Sequence, residues 1–294
     1  MVKSLNRRQF LQRSLASMAA LSAGLVNTGF ELTAPFNVDK VSLGNTGLIV
    51  PRIAWGTGTV GTRRESNQTK LGMEEFLKIG RHVCDHGIKF FDMADLYGSH
   101  SYVKEVLKVV PREETILLSK IWTTNARWYQ TEPVETSLDR FRIEAGTDYF
   151  DIVLLHCIVN GNWQEEKKSY IDSLLKAKQD GVVKAIGISC HNLDAIKAAA
   201  EDPVIDVIMA RINPFGTHMD GATDEVMAVL ETARNNGKGI IGMKIFGQGV
   251  NASDQERKES LHYAYTSPNI HSVTLGFESI SQVNEVLSTV AAMV

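Results

Sequence analysis

The 294-residue chain has only three cysteines, no long apolar run and no excess of either charge, and each shortage closes a class of function. Cys84, Cys157 and Cys190 are odd in number and lack metal-type spacing, so they build neither a disulfide framework nor a metal site. Lysine and arginine together number 31 against 34 acidic residues. A net charge of −3 offers no basic stripe for nucleic acid and no acidic block of a disordered tail. No segment approaches the roughly 20 consecutive apolar residues that span a bilayer comfortably, so stable membrane insertion is not expected. Linkers, low-complexity tracts and short-period repeats are missing as well. What remains is a chain with 44% hydrophobic residues, enough for a core of good size.

The first thirty or so residues differ from the rest. Asn6-Arg7-Arg8-Gln9-Phe10-Leu11 sets two arginines directly before a bulky apolar pair, and an uncharged stretch rich in alanine and serine covers 15–26. This resembles a twin-arginine export signal, the type that carries folded proteins across a bacterial inner membrane. The resemblance implies the twin-arginine machinery as a partner and a periplasmic or exported destination. An amphipathic first helix with an accidental arginine pair, or an uncleaved signal anchor, is the alternative. Residues 1–37 are therefore set apart as a leader, and 38–294 as one domain.

That domain has roughly the 250 residues of an eight-fold βα barrel. Short apolar runs alternate with amphipathic segments, the mark of parallel βα units. Runs at 41–43 and 48–50 flank Gly44-Asn45-Thr46-Gly47 and predict a hairpin capping the barrel floor. Strands follow at 52–55, 89–92, 115–120, 150–156, 183–188, 204–210, 238–244 and 270–275. The helices between and after them are predicted at 71–86, 101–109, 133–144, 165–179, 193–200, 224–235, 254–265 and 281–292. An α/β (β/α)8 TIM barrel is the economical fold. An open doubly wound sheet would place a glycine-rich turn at the start of the first helix. Here a dozen polar residues separate Gly56-Thr57-Gly58-Thr59-Val60-Gly61 from that helix.

In such a barrel the chemistry sits where strands end. The strand tips carry Asp92, Lys120, His156, Ser189, Arg211 and Lys244, and stability alone gives little reason for that. Taken singly, Asp92 could cap a turn, Tyr97 could pack in a loop, Lys120 could reach solvent and His156 could be a satisfied core residue. Together, on three successive strands and the loop after the first of them, they suit carbonyl reduction. A lysine ammonium beside Tyr97 favours the phenolate and is expected to lower the phenol's pKa from its ordinary value near 10. Asp92 would hold the lysine charged, and His156 would orient a substrate oxygen.

These residues resemble the aldo-keto reductase family, over essentially all of 38–294. Leu43-Gly44-Asn45-Thr46-Gly47-Leu48 is similar to the family's opening hairpin, and Gly56-Thr57-Gly58-Thr59 to its first cofactor-side loop. Gly87-Ile88-Lys89-Phe90-Phe91-Asp92 with Tyr97-Gly98 matches the family's most diagnostic segment. Asp148-Tyr149-Phe150-Asp151-Ile152-Val153-Leu154-Leu155-His156 matches the approach to its histidine. The resemblance implies a catalytic tetrad of Asp92, Tyr97, Lys120 and His156, with Tyr97 passing the proton. It also implies an extended NAD(P)H across the barrel mouth and a small carbonyl or alcohol substrate. Gly56, Thr57, Ser189, Lys244, Phe246, Gly247 and Gly276 would hold the cofactor, with its adenosine end at 276–282. No metal is implied.

Two departures from the family pattern matter. After the sixth strand the family commonly has Gln-x-x-Tyr-Asn-Pro, where this chain reads Met209-Ala210-Arg211-Ile212-Asn213-Pro214 and then a polar loop. After the eighth strand many relatives place a basic residue for the ribose phosphate, whereas Gly276-Phe277-Glu278-Ser279 offers an acid and a hydroxyl. The resemblance leans slightly to NADP and the glutamate to NAD, so both stay open. Trp122, Trp128 and Trp163 are candidate walls of an open substrate mouth, with Arg211 as a substrate contact; sugar-like carbonyl compounds would suit them. A nicotinamide-binding barrel without turnover, or a Schiff-base enzyme working through Lys120, are the competing classes. The second needs a desolvated neutral lysine, which Asp92 opposes.

Overall fold

The structure is a computed structural model that describes residues 36–293. The export-signal reading and nearly all of the proposed leader lie outside the described residues. A hairpin opens the fold, with β1 (Lys40–Ser42) antiparallel to β2 (Ile49–Pro51) and Val41 opposite Val50. Eight further strands follow: β3 (Ile53–Gly56), β4 (Phe90–Asp92), β5 (Ile116–Trp122), β6 (Phe150–Ile158), β7 (Val183–Cys190), β8 (Val207–Arg211), β9 (Gly239–Met243) and β10 (Ser272–Leu275). They close into a barrel in chain order, β10 pairing with β3, every pairing parallel.

Helices return the chain between strands. They are α1 (Asn67–Lys70), α2 (Met73–Asp85), α3 (His100–Val106), α4 (Val134–Ala145), α5 (Trp163–Glu166), α6 (Lys168–Gln179), α7 (Leu193–Glu201), α8 (Thr223–Asn235), α9 (Asp254–Thr266) and α10 (Ile280–Ala291). The expected order of elements holds throughout. Two short helices are additions. One is α1, started by Ser66, whose hydroxyl accepts from Thr69 N while the Thr69 hydroxyl accepts from Ser66 N. The other is α5, which splits the helix expected over 165–179.

Strand side chains alternate, and the alternation divides the apolar residues into two cores. Trp55, Phe91, Leu117, Ile121, Val153, Ile186, Ile208, Ile240 and Val273 face out and pack under the helices. Ala54, Phe90, Leu118, Ile152, Leu154, Ala185, Val207, Met209, Ile241 and Met243 fill the lumen. The hairpin stoppers the floor with Leu43, Leu48 and Val50, which belong to the lumen cluster. Gly239 makes room for this plug, since a Cβ there would lie 2.5 Å from Leu43 Cγ. No described helix is long and apolar enough to cross a membrane.

Candidate active site

The inward-facing parity that packs the floor carries a different set of side chains at the mouth. Two positions beyond Phe90 stands Asp92, two beyond Leu118 stands Lys120, and two beyond Leu154 stands His156. Asp92 pairs with Gly56 across the sheet, and Trp122 with His156. Asp92, Lys120 and His156 are all buried. Lys120 Nζ donates to Asp92 Oδ1 in a tight ion pair and to the Met93 carbonyl at 3.2 Å. The second Asp92 oxygen accepts from Thr274 Oγ1 at 2.9 Å. A buried ion pair is strong only when its remaining donors and acceptors are also satisfied, and here they are held from β10 as well as β4.

Tyr97 reaches this pair from a 3-10 turn, Asp95–Tyr97. Lys120 Nζ lies 4.9 Å from the centroid of its ring, and its hydroxyl is 3.4 Å from His156 Nε2. The Tyr97 and His156 rings meet edge to face at 5.6 Å, and Trp122 meets His156 the same way at 5.4 Å. Four residues expected to act together are thus brought together.

What holds Tyr97 in place was not foreseen. A Cβ on Gly58 would fall 2.2 Å from Tyr97 Cε2, and one on Gly61 would fall 2.3 Å from Cδ1. The phenol is sandwiched by two glycines of the loop after β3. Behind it Asp95 is fully buried; its carboxylate accepts from Arg140 Nη1 at 2.7 Å and, in a short hydrogen bond, from the Tyr129 hydroxyl. The spacing of Gly56, Gly58 and Gly61 was visible as a glycine-rich loop. Its use as a seat for an aromatic ring was not.

The expected lowering of the Tyr97 pKa is corrected. Burial raises it above 10, and this outweighs the nearby Lys120 charge because Asp92 opposes that charge. Burial works against the Lys120 ammonium too, yet the Asp92 carboxylate holds its pKa above the ordinary lysine value. Burial, with Lys120 next, holds His156 well below its usual range, so its ring is neutral. A protonated phenol beside a neutral imidazole, with a charged lysine behind, is a proton donor set for a carbonyl oxygen.

A cavity of about 560 Å³ opens beside this set, lined by Gly56, Gly58, Asn67, Met209, Lys244, Phe246, Gln248, Gly249, Gly276 and Glu278 among others. Of the residues expected to hold a cofactor, Gly56, Lys244, Phe246 and Gly276 are on its wall. Ser189 is buried at the tip of β7 with its hydroxyl unpartnered, a vacant polar group of the kind a bound amide would satisfy. Thr57 is displaced from its expected role: it is fully buried, donating to the Asp92 carbonyl at 2.8 Å and bonded to Ser99 Oγ at 2.7 Å. It supports the Asp92 strand tip from behind the wall. Gly247 is buried with φ +55°, and a Cβ there would lie 2.8 Å from Thr217 Cγ2.

Three further expectations resolve differently. Arg211 is not a free substrate contact, because it is tied to the buried Asp220 carboxylate. Trp163 is 1% exposed and belongs to the outer core, so it is no wall of the mouth. Trp122 is half-buried against His156, while Trp128 is 41% exposed with Arg63 over its ring. The three cysteines are free, with Cys84 and Cys190 buried. Among the described residues no group of three or more His, Cys, Asp or Glu could hold a metal ion.

A closed parallel barrel with a phenol, ammonium, carboxylate and imidazole at its carboxyl mouth defines a barrel oxidoreductase. The family model described as the Aldo/keto reductase family matches residues 52–293, and the chain belongs to that family. It is an NAD(P)-dependent oxidoreductase that moves a hydride between the nicotinamide and a carbonyl group. Its relatives include D-threo-aldose 1-dehydrogenase of a Pseudomonas species, 25% identical over 74% of this chain and 72% of that protein. L-Galactose dehydrogenase of Arabidopsis thaliana is 24% identical over 87% of this chain and 89% of its own length. An aldo-keto reductase from Bacillus halodurans, solved in its holo form, superposes with a TM-score of 0.70 at 19% identity, covering 86% of this chain and 91% of that one. That likeness speaks for the fold.

Proposed function

We propose that Tyr97 delivers the proton to a carbonyl oxygen during reduction, and that the substrate is a polyhydroxylated, sugar-like carbonyl compound. The observation that carries this reading is the hydroxyl of Tyr97, 3.4 Å from a neutral His156 and backed by the Lys120–Asp92 pair. Bound nicotinamide supplies the hydride. Tyr97 supplies the proton, His156 orients the oxygen that receives it, and Lys120 stabilises the phenolate left behind. Trp122 and the exposed Trp128 offer aromatic faces to a sugar ring, and relatives named as aldose and galactose dehydrogenases support that class. Tyr97→Phe is expected to lower kcat for aldose turnover by about 10²–10⁴-fold with an unchanged fold. A variant within a factor of a few of wild type would end the assignment.

NAD(H) is the preferred dinucleotide in this reading. Glu278 lines the cavity and accepts from Asn67 Nδ2 at 3.0 Å. Arg257, a cation on the same wall, is engaged by Asp254 at 2.7 Å and Glu285 at 2.8 Å. A ribose hydroxyl can donate to Glu278, whereas a ribose phosphate would meet its charge. Fluorescence titration should give a Kd for NADH at least about tenfold below that for NADPH; the reverse order refutes the preference.

Arg7-Arg8 and the apolar stretch after them support export by the twin-arginine route, with cofactor already bound in the folded protein. Cell fractionation should find the protein in the periplasm, and its denatured supernatant should show nicotinamide absorbance. Retention of the intact chain in the cytosol would exclude the export reading.

A further inference from the structure

Residues 123–133 join β5 to α4 without a helix or strand, and they lead away from Trp122, which meets His156. Ala126 N donates to the Tyr129 carbonyl at 2.8 Å and Tyr129 N to the Ala126 carbonyl at 3.2 Å, a tight turn with Arg127 and Trp128 exposed at its tip. Tyr129 itself is half-buried, and its hydroxyl donates to Oδ2 of Asp95, a residue with no exposure. Three residues on, Glu132 accepts from Arg140 Nε at 3.2 Å and from Nη2 at 2.9 Å. Arg140 Nη1 donates to the other Asp95 oxygen at 2.7 Å. The loop is thus fastened at two points to one pair, Asp95 and Arg140.

Asp95 opens the turn that carries Tyr97, two residues before the phenol. The loop after β3 holds the same turn from its other side: Arg64 N donates to the Leu96 carbonyl at 2.9 Å, and the Arg64 guanidinium donates to Glu144 on α4. A carboxylate only accepts, and each Asp95 oxygen has its donor. Swinging the β5 loop away would leave a buried charged acceptor unpaired, the costly way to lose a hydrogen bond. Burial, and after it the bond to Asp95, push the Tyr129 pKa up, so this phenol keeps the proton it donates. Across the mouth the Arg63 guanidinium lies 5.9 Å from the Trp128 ring centroid, so the β3 and β5 loops meet there. Proton transfer uses neither Asp95 nor Tyr129; they hold the groups that do.

We propose that Asp95 and Tyr129 are positioning residues: their hydrogen bond locks the loop bearing Trp128 to the turn bearing Tyr97, so that substrate wall and proton donor keep one fixed spacing. This goes beyond the reductase reading and rests on it, with Tyr97 as the donor and Trp128 as an aromatic face. Released from Asp95, the loop would first lose hold of the far end of a long substrate. A short carbonyl compound seated against Tyr97 and His156 would feel the change less. Without the Asp95 carboxylate the turn itself loses its anchor, and the phenol shifts from the reacting oxygen. The two residues therefore have separable signatures, KM for Tyr129 and kcat for Asp95.

The test uses the full-length holoenzyme, with D-glyceraldehyde as the short substrate and D-glucose as the long one. Tyr129→Phe, which removes one hydroxyl, should raise KM for D-glucose by about tenfold and KM for D-glyceraldehyde by less than about threefold. Its kcat for either should fall by less than about threefold. Asp95→Ala should lower kcat for both by about 10- to 100-fold, and Asp95→Asn, which keeps one acceptor, by less. Trypsin cleavage after Arg127 reads the loop directly and needs no substrate; in Tyr129→Phe it should run about tenfold faster than in wild type. If Asp95→Ala does not fold, Tyr129→Phe carries the test. Unchanged cleavage and unchanged KM in Tyr129→Phe would overturn the clamp. Variants that unfold earlier but keep wild-type kcat and KM while folded would also overturn it, by assigning both residues to stability alone. Faster cleavage in Tyr129→Phe, with no turnover of either substrate by the wild type, would uphold the clamp and count against the sugar-like substrate class.

Discussion

The floor and the mouth of this barrel are built from the same strands and the same inward-facing positions, yet they obey opposite rules. At the floor Leu43, Phe90, Leu118 and Ile152 are fully buried and make a dry, close-packed plug. One or two steps further along each strand, Asp92, Lys120 and His156 are buried as well, but polar. Burial costs a charge several kcal/mol unless it is paired, so the two charges at the mouth persist only because Lys120 and Asp92 bind each other. The floor gives the stability that lets the mouth hold an arrangement poor in stability. A change at one end should therefore register as folding energy, and at the other as rate.

The sharpest way to break this division is at the plug. Leu43→Ala is expected to destabilise the fold by about 2–5 kcal/mol, since the rigid barrel wall around Gly239 cannot collapse into the void. Denaturant unfolding should show the loss, while kcat of the remaining folded enzyme stays near wild type. A comparable fall in kcat would show that floor and mouth are coupled. Gly58→Ala probes the other end. Its Cβ would overlap the Tyr97 ring, so the phenol must turn from Lys120 and His156. Activity should fall by about 10- to 100-fold, in keeping with displacement of a reacting group by an ångström or so. Unfolding should move little, because the loop is at the rim. An active Gly58→Ala enzyme would mean that Tyr97 is seated by something other than the glycines.

The strand tips were legible because a polar residue ending an apolar run is a local pattern. Asp92, Lys120 and His156 each announced themselves that way, and eight such runs announced the barrel. What escaped depended on distance in the chain or on a balance of energies. Asp220 neutralises Arg211 from a loop nine residues on, and nothing in the spacing marks that pairing. Trp163 reads the same as Trp122 in sequence, but one is buried in the outer core and the other lies against His156. Ser66 and Thr69 did carry the signal of α1, as a reciprocal cap at close spacing. A slip of register between Leu155 and Ile158 sets Cys157 at φ +62°, and it needs the pairing of β7 against β6, which no single segment contains.

The smallest expected effect concerns pH and sharpens the comparison at the level of single protons. Lysine beside a phenol suggests a lowered pKa, yet burial at the mouth wins and raises it. The protonated phenol is the form that serves reduction, so a raised pKa extends the active range upward. kcat/KM for reduction should stay level from about pH 6 to about pH 9 and decline only beyond, with the reverse oxidation rising over that alkaline range. The neutral ring of His156, held well below 6.5, should add no acid limb near neutrality. Asp92 opposes the effect of Lys120 on the phenol, so Asp92→Asn should move the alkaline limb toward acid as the lysine charge is released. A wild-type limb between about pH 7 and 8 would mean that the lysine outweighs burial after all. A shift of the Asp92→Asn limb toward alkali would show that the carboxylate acts on Tyr97 by placing Lys120 rather than by its charge.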